Sequence, residues 1–499
     1  MNGKNSLVLD VEEVPSKVSH WIIFAIQHIL AMLVACITVP LLTGLPVAAT
    51  LVSAGIGTIC YLLITKFKSP VFLSSSFAYL SPMFAALAVG EVYKVAGDPL
   101  SGTSVNYAAV MIGMIMVGAI YGIIALIIKF VGTKWINKVL PPIVVGPVIM
   151  VIGLGLAGSA INNLTNVAGD YQYVTALGEI ATHTNYNLLH IVCGLVALFG
   201  TALASHYGKG KMPSLIPFVI GMGAGYVVAT LITAIGYYGC GSAYCQIVNY
   251  GPFEAIFGKG NVGVASFFNY NMLVPNTSES FMFLRFEELK QFNWADIGQV
   301  ALLFAPVALV TVCEHIGDHE NLGNIIGRDL LNEEPGMART LSGDGLATAV
   351  SGVLCGAANT TYGENVAVIG TTGIASVKVV FLAALMAIGV GFVTPFTALL
   401  STIPGCVTGG VSLVLYGFIA SSGVKMLIAE KVDFGKAKNI FVASAILVAG
   451  IGGLAFKFGD PLNPTIQITS VAVAMILGIV LNVCLREKKA DSSTEDKAE

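Results

Sequence analysis

The sequence predicts an all-α polytopic membrane protein, with 14 transmembrane segments arranged as two inverted seven-span repeats. Three observations carry that prediction. Charged residues make up 11% of the chain and hydrophobic residues 56%, against roughly 25% charged in a soluble domain. Apolar blocks of about 20 residues, enough to cross a bilayer, recur along nearly the whole length. Lys and Arg fall on alternate connections between those blocks. A buried soluble core would not need so many blocks of that length.

Taken in order, the segments lie near 19–42, 47–66, 70–92, 105–131, 138–160, 186–206, 213–238, 297–320, 337–356, 358–374, 376–400, 403–426, 437–457 and 465–486. The third and tenth differ from the others. Leu73-Ser74-Ser75-Ser76-Phe77-Ala78 and Ala358-Asn359-Thr360-Thr361-Tyr362-Gly363 are small, hydroxyl-rich and poor in helix formers. They read as extended backbone leading into a half-helix. Irregular backbone at membrane depth is tolerated only against protein or a cavity. Paired broken segments in matching positions of two halves mark a transporter's binding site.

With a cytoplasmic N-terminus, the inner connections and segment ends hold 20 of the 25 Lys and Arg. The outer ones hold only Lys94, Lys259, Arg285, Lys290 and Lys457. Both termini are therefore expected in the cytoplasm of a cell whose plasma membrane holds the protein. Residues 1–18 are polar and lack the short apolar core of a cleavable signal. An odd repeat makes the second copy insert upside down. Gln27-His28-Ile29 aligns with Glu314-His315-Ile316, and Leu140-Pro141-Pro142 with Ile403-Pro404-Gly405. The 239–296 stretch is the longest connection and faces outward. Its Cys240 and Cys245 can pair in an oxidising exterior or remain free. The nine cysteines form no metal pattern, and neither a metal nor a cofactor is expected. The net charge of −3 gives no sign of a nucleic-acid partner. The charged tail, 487–499, reads as disordered and cytoplasmic.

Function is carried by two acidic clusters inside apolar segments, Cys313-Glu314-His315-Ile316-Gly317-Asp318 and Thr360-Thr361-Tyr362-Gly363-Glu364-Asn365. An ionisable group at the centre of a spanning helix costs at least ~2.5–3.5 kcal/mol, and such groups mark solute or proton paths. Glu314 and Asp318, four residues apart, share one helical face. Two carboxylates that close repel, which suits one of them to hold a proton. The same spacing brings His315 alongside His319. Glu364 stands where extended backbone gives way to a half-helix. Free N–H groups there can donate to a solute carbonyl while the carboxylate accepts from a solute N–H. Phe77, from the facing break, can add backbone N–H and an aromatic wall. A planar heterocycle fits this donor–acceptor edge better than an inorganic ion.

The stretches Gln27-His28, Ser75-Ser76-Phe77-Ala78, Glu314-His315-Ile316-Gly317 and Asn359-Thr360-Thr361-Tyr362-Gly363-Glu364-Asn365 resemble the nucleobase–ascorbate transporter family (nucleobase:cation symporter 2). The nearest branch is that of bacterial uracil and xanthine permeases. Glu364-Asn365-Val366-Ala367 followed by Thr372-Gly373 is similar to the family signature, with Ala367 where Gly is expected. The resemblance implies a core domain from 19–131 and 297–400, a gate domain from 138–238 and 403–486, and short antiparallel strands in segments three and ten. It implies base binding by Glu314, Glu364, Phe77, Gly363, Tyr362 and Asn365, and proton coupling through Glu314, Asp318 and Glu364. Gln27, His28 and His315 then play supporting parts, and a homodimer is implied. Glu364 resembles the uracil branch. Asp318 and Thr372-Gly373-Ile374-Ala375-Ser376 resemble the purine branch, with xanthine or uric acid as solute. Uracil is favoured because Glu364 would touch the base directly.

Two further readings compete. An anion exchanger of the related fold needs a cationic or dipolar site, which two buried acids oppose. A membrane enzyme or channel needs a catalytic motif or a ring of like residues along one helix, and neither is present.

Overall fold

The computed structural model describes residues 7–87, 89, 106–133, 135–165, 171–174, 180–183, 186–208, 213, 216–257, 264–459 and 464–485. The expected tail, 487–499, and the end of the third segment lie outside them. The described chain is mostly helical. Eight of its helices are long and apolar enough to cross a membrane: Val18–Thr43, Val47–Ile64, Tyr107–Val131, Pro142–Thr165, Leu188–Tyr207, Pro217–Gly239, Trp294–Ile326 and Gly405–Ala429. Shorter helices or strands occupy the other expected segments.

In chain order, α1 (Val18–Thr43) and α2 (Val47–Ile64) lead to β1 (Leu73–Ser75) and, after a single 3-10 turn, to α3 (Leu80–Leu87). Then come α4 (Tyr107–Val131), α5 (Pro142–Gly155) and α6 (Ala157–Thr165). A hairpin of β2 (Tyr171–Val174) and β3 (Ile180–His183) precedes α7 (Leu188–Tyr207) and α8 (Pro217–Ile232). After the long connection come α9 (Ile297–Ile326), α10 (Met337–Val353), β4 (Asn359–Thr361), α11 (Gly363–Thr372), α12 (Val377–Gly391) and α13 (Thr394–Ser401). The chain closes with α14 (Gly405–Ala429), α15 (Ala437–Ile451), the β5 (Phe456–Gly459) and β6 (Pro464–Ile468) hairpin, and α16 (Ser470–Cys484).

Helix contacts fall into two groups. α4 lies along α10 and α9, while α2 packs on α10 and α12, and α1 on α12. Separately, α7 packs on α8, α14 on α5, α6 and α7, and α15 on α5 and α16. Small residues permit the closest approaches. At the α7–α14 crossing a Cβ on Gly410 would collide with the Gly194 carbonyl. Large apolar side chains such as Phe130, Phe199, Leu231 and Val448 are exposed, an outward apolar surface suited to lipid.

Four local features depart from the sequence expectation. The eleventh segment, expected over 376–400, is two helices. Val393 is extended (φ −86°, ψ 98°) and Pro395, in the first turn of α13, has no N–H to continue the ladder. The thirteenth segment ends at Ile451 instead of 457, where Gly450, Gly452 and Gly453 interrupt it, and residues 456–468 form a hairpin. The long connection is structured and anchored. Asn269 N–H donates to Phe392 O at 2.8 Å, Met272 and Phe281 are buried against Ala48, Ala49 and Val52, and the nearly buried Arg285 sits over the Tyr107 ring at 5.1 Å. Cys240 and Cys245 within it are free.

The fourth feature is the N-terminal segment. Residues 8–13 run as a strap beside 373–377, with a turn closed by Glu13 N–H on Asp10 O. Val8 N–H donates to Gly373 O at 2.8 Å, Ala375 N–H to Leu9 O at 2.9 Å, and Val377 N–H to Val11 O at 3.0 Å. Ser376 Oγ reaches Glu13 O at 2.5 Å, and Arg328 pairs with Asp10 at 2.9 Å. Gly373 caps α11 at φ +70°, where a Cβ would press on Val8 at 3.1 Å. On the same face Glu334 takes Lys68 at 2.5 Å, Arg339 at 3.0 Å and Lys66 at 3.4 Å. The Lys68 and Arg339 bonds are the chief cause holding its carboxyl down at about 2.

Candidate functional site

The site is built where β1 meets β4. The two strands pair antiparallel, Leu73 opposite Thr361 and Ser75 opposite Asn359. Side chains of α2, α10 and β4 itself fasten this irregular backbone. Thr58 Oγ1 accepts from Leu73 N–H at 3.0 Å, Asn359 Nδ2 donates to Ser53 O at 3.0 Å, and Thr348 Oγ1 donates to Asn359 O. Each strand then feeds a half-helix, Phe77 opening one and Gly363 the other. Tyr362 is extended (φ −130°, ψ 106°) and caps α11. The first amide of α11 to bond back is that of Asn365, to Tyr362 O at 3.0 Å. The N–H groups of Gly363 and Glu364 therefore stand outside the helix's own ladder.

The three acids converge here from two elements. Glu314 and Asp318 project from α9, and Glu364 from the first turn of α11. A Cβ on Gly363 would lie 3.4 Å from Asp318 Oδ1. Glu314 is exposed in mid-helix while Cys313 and His315 beside it are buried, and Glu364 and Asp318 are half-buried. A Cβ on Gly317, between the two α9 acids, would meet nothing within 4 Å. Glu314 thus has open space beside it at Gly317, while Asp318 Oδ2 is buried with no hydrogen-bond partner among the described residues.

The other expected residues divide. Phe77 is buried and meets Tyr416 of α14 edge to face, with ring centroids 6.1 Å apart. Tyr362 is buried beneath α11. Asn365 is buried too, and its Oδ1 accepts from His28 Nδ1–H at 2.8 Å while its Nδ2 has no partner among the described residues. Its amide thus points to α1, fastening the first turn of α11. Gln27 is buried beside His28. His315 turns to α10, bonding Asp344 Oδ2 at 2.7 Å and Thr340 Oγ1 at 3.0 Å. A separate cavity of about 220 Å³ lies between Phe77, Ser81, Phe84, Gly155, Ser159 and Ser470. No acid lines it, and it meets the site through Phe77 and Ala78.

Sequence reasoning missed two residues. Asp344 is a lone acid within Ser342-Gly343-Asp344-Gly345, and the same cost argument that flagged Glu314 applies to it. Tyr416 carries no such signal in its apolar helix, and only the fold brings it to Phe77.

Residues 19–457 match the family model Xan_ur_permease, described as a permease family. This chain belongs to that family. The resemblance read from the sequence motifs is thereby borne out. Among curated relatives, the uracil permease of Bacillus caldolyticus is 39% identical over 99% of this chain and 98% of its own length. The uracil permease of Bacillus subtilis (strain 168) is 36% identical over 99% of both. That of Escherichia coli (strain K12) is 32% identical over 93% of this chain and 90% of its own. In fold, the chain is similar to the murine anion transporter Slc26a9 in its inward-facing state, with a TM-score of 0.61, 12% identity and coverage of 95% of this chain and 69% of that one. It is also similar to the transmembrane domain of the cyanobacterial bicarbonate transporter BicA, with a TM-score of 0.57, 13% identity and coverage of 95% and 99%. These two establish a membrane transporter fold.

Proposed function

We propose that the chain is a proton-coupled symporter that imports uracil across the plasma membrane. The observation that carries the reading is Glu364 in the first turn of a half-helix, with Glu314 exposed in the middle of α9. Relatives of this chain over essentially its full length are named uracil permeases. In this reading the base lies between Glu314 and Glu364, its carbonyls meet backbone N–H at Phe77 and Gly363, and Tyr362 and Phe77 wall it in. Asn365 positions Glu364 through His28. Glu314, Asp318 and Glu364 exchange the coupled proton.

Fourteen segments in two inverted sevens complete the architecture. The group of α1–α4 and α9–α13 acts as the core, and α5–α8 with α14–α16 as the gate against which it rocks. Cytoplasmic termini rest on the Lys and Arg asymmetry, and a homodimer on the resemblance. One observation bears on solute choice. The purine-leaning stretch Thr372–Ser376 lies at the far end of α11 from Glu364 and is taken up by the N-terminal strap. Gly373, at φ +70°, and Ser376, whose Oγ reaches Glu13 O, have a role there without a purine.

The test is uptake of radiolabelled uracil into proteoliposomes under an inward proton gradient, with xanthine as competitor. Uptake should collapse with a protonophore, and Glu314→Gln should lose accumulation. Uptake indifferent to the protonophore or driven only by sodium would overturn coupling. Preferential competition by xanthine would overturn the choice of uracil.

A further inference from the structure

We propose that a column of buried side chains, Asp344, His315, His319, Tyr61 and Ser69, is a second proton-carrying site, distinct from the acids at the solute position. It ends at Ser69, one residue from Lys68, which pairs with Glu334. The inference rests on the proton coupling proposed above.

All five residues are fully buried, as is Thr340 beside them. Asp344 Oδ2 lies 2.7 Å from His315 Nδ1, and His315 Nε2 lies 3.0 Å from Thr340 Oγ1. The His315 and His319 rings stack with centroids 4.1 Å apart. His319 Nδ1 is 2.9 Å from His315 O, and its Nε2 is 2.7 Å from the Tyr61 hydroxyl, which lies 2.8 Å from Ser69 Oγ. Burying so many polar groups in a membrane bundle costs free energy that apolar side chains would not. None of these hydrogen bonds reaches the space between Glu314 and Glu364.

The geometry fixes one tautomer and leaves another free. A carbonyl only accepts, so His319 holds a proton on Nδ1; Tyr61 gives its one proton to Ser69 Oγ, so its contact with His319 Nε2 is a hydrogen bond only when Nε2 also carries a proton. His315 has two consistent states. With Asp344 ionised, Nδ1–H donates to it and Nε2 accepts from Thr340. With Asp344 protonated, the acid donates to Nδ1 and Nε2–H donates to Thr340, whose hydroxyl reaches Met337 O at 3.1 Å. The second state holds one more proton than the first, so passing from it to the first releases one at Nε2.

The column has a direction. At one end Thr348 Oγ1 bonds both Asp344 O at 3.2 Å and Asn359 O, behind β4 and the solute site. At the other, Tyr61 is near the end of α2, and Ser69 follows Lys68, whose Nζ is 2.5 Å from Glu334. Glu314 and Asp318 lie about 140° and 100° around α9 from His319, facing the solute space. The groups facing His319 are Tyr61 from α2 and His315 from its own helix, with Asp344 of α10 behind His315.

In the transfer, Asp344 gives its proton to His315 Nδ1 as Nε2 releases one, leaving a carboxylate and a neutral ring. The rings make no direct hydrogen bond. One must turn about its Cβ–Cγ bond, breaking His319 Nδ1–H···O=C His315, before His319 Nε2 takes the proton. That bond is the latch against leak. From His319 Nε2 the proton passes to the Tyr61 oxygen as Tyr61 passes its own to Ser69, and the buried Ser69 passes one to water that enters beside Lys68. Each hydroxyl takes one proton as it releases one.

The test compares the parent with Tyr61→Phe, His319→Gln and Ser69→Ala in proteoliposomes. It measures uracil binding, uracil–uracil exchange and proton-driven accumulation. Binding and exchange should stay within two-fold of the parent, while accumulation falls at least ten-fold in Tyr61→Phe and His319→Gln and less in Ser69→Ala. Accumulation within two-fold in Tyr61→Phe and His319→Gln would overturn the proposal. So would binding that falls as far as accumulation in all three, which marks the column as scaffolding. The parent's own response to the gradient reports on coupling, and an unresponsive parent overturns both readings. Variants that accumulate normally beside a responsive parent overturn the column alone.

Discussion

Replacing His28 with Leu should weaken uracil binding through a residue that the base does not touch. His28 and Asn365 are 2% and 1% exposed, and their side chains meet at 2.8 Å. Asn365 Nδ2 already lacks a partner among the described residues. In His28→Leu the Oδ1 loses its donor as well, so a whole buried amide goes unsatisfied. Stranding one buried polar group costs ~1–3 kcal/mol. The first turn of α11 can escape that cost by moving, and it carries Glu364 with it. Binding must then restore the turn, and the penalty corresponds to a fall in affinity of roughly 5- to 150-fold. The pair makes a double-mutant cycle. Removing both polar ends is often nearly neutral, so His28→Leu/Asn365→Leu should bind within about three-fold of the parent. The assay is equilibrium binding of labelled uracil to purified protein, with a melting curve for each variant. Additive losses in the double variant would refute the reasoning and return Asn365 to direct contact with the base.

Three more outcomes are expected. Glu364→Gln keeps shape but adds a donor, so competition assays should show the ranking of bases altered, with a loss for uracil of ~1–3 kcal/mol and normal abundance; an unchanged ranking counts against Glu364 as a base contact. Glu334 has a carboxyl held below its unfolded value, so it stabilises above about pH 4.5 and loses that effect as pH falls toward about 2. The melting-temperature gap between parent and Glu334→Gln should therefore shrink across that window, and a gap that widens on acidification would be the wrong sign. Gly410→Val should force α7 and α14 apart at the Gly194 carbonyl, lowering stability by ~1–3 kcal/mol or more by overpacking, as read from thermal melts in detergent.

The apolar segments were legible because lipid imposes a length and a composition that the chain cannot disguise. The first segment, expected over 19–42, is observed as Val18–Thr43. The broken segments were legible too, since Ser74, Ser75, Thr360 and Thr361 disfavour a helix where a helix would be the default. What escaped has no periodic signature. The strap at 8–13 is held mainly by backbone hydrogen bonds, which any side chain permits. The break before α13 needed one Pro to be weighed against a long apolar run. For the site, a pair of acids four residues apart announces itself, while Asp344 stands alone and Tyr416 gains meaning only from Phe77. Asn365 shows the opposite limit. Its type and position point to a ligand, and only its geometry shows the amide turned to His28.

The strap also bears on how the protein is made. Residues 8–13 leave the ribosome about 360 residues before the backbone they pair with, which begins at Gly373. At a synthesis rate of about 5–20 residues per second, their partner arrives roughly 20–70 s later. Until then the leading segment waits at the membrane surface with its donors and acceptors turned to water. When Gly373–Val377 emerges, a single stretch fastens the ends of α9 and α11 and the start of α12. The strap is therefore among the last parts to find its place, and a bulky group on it would burden the seam that closes late.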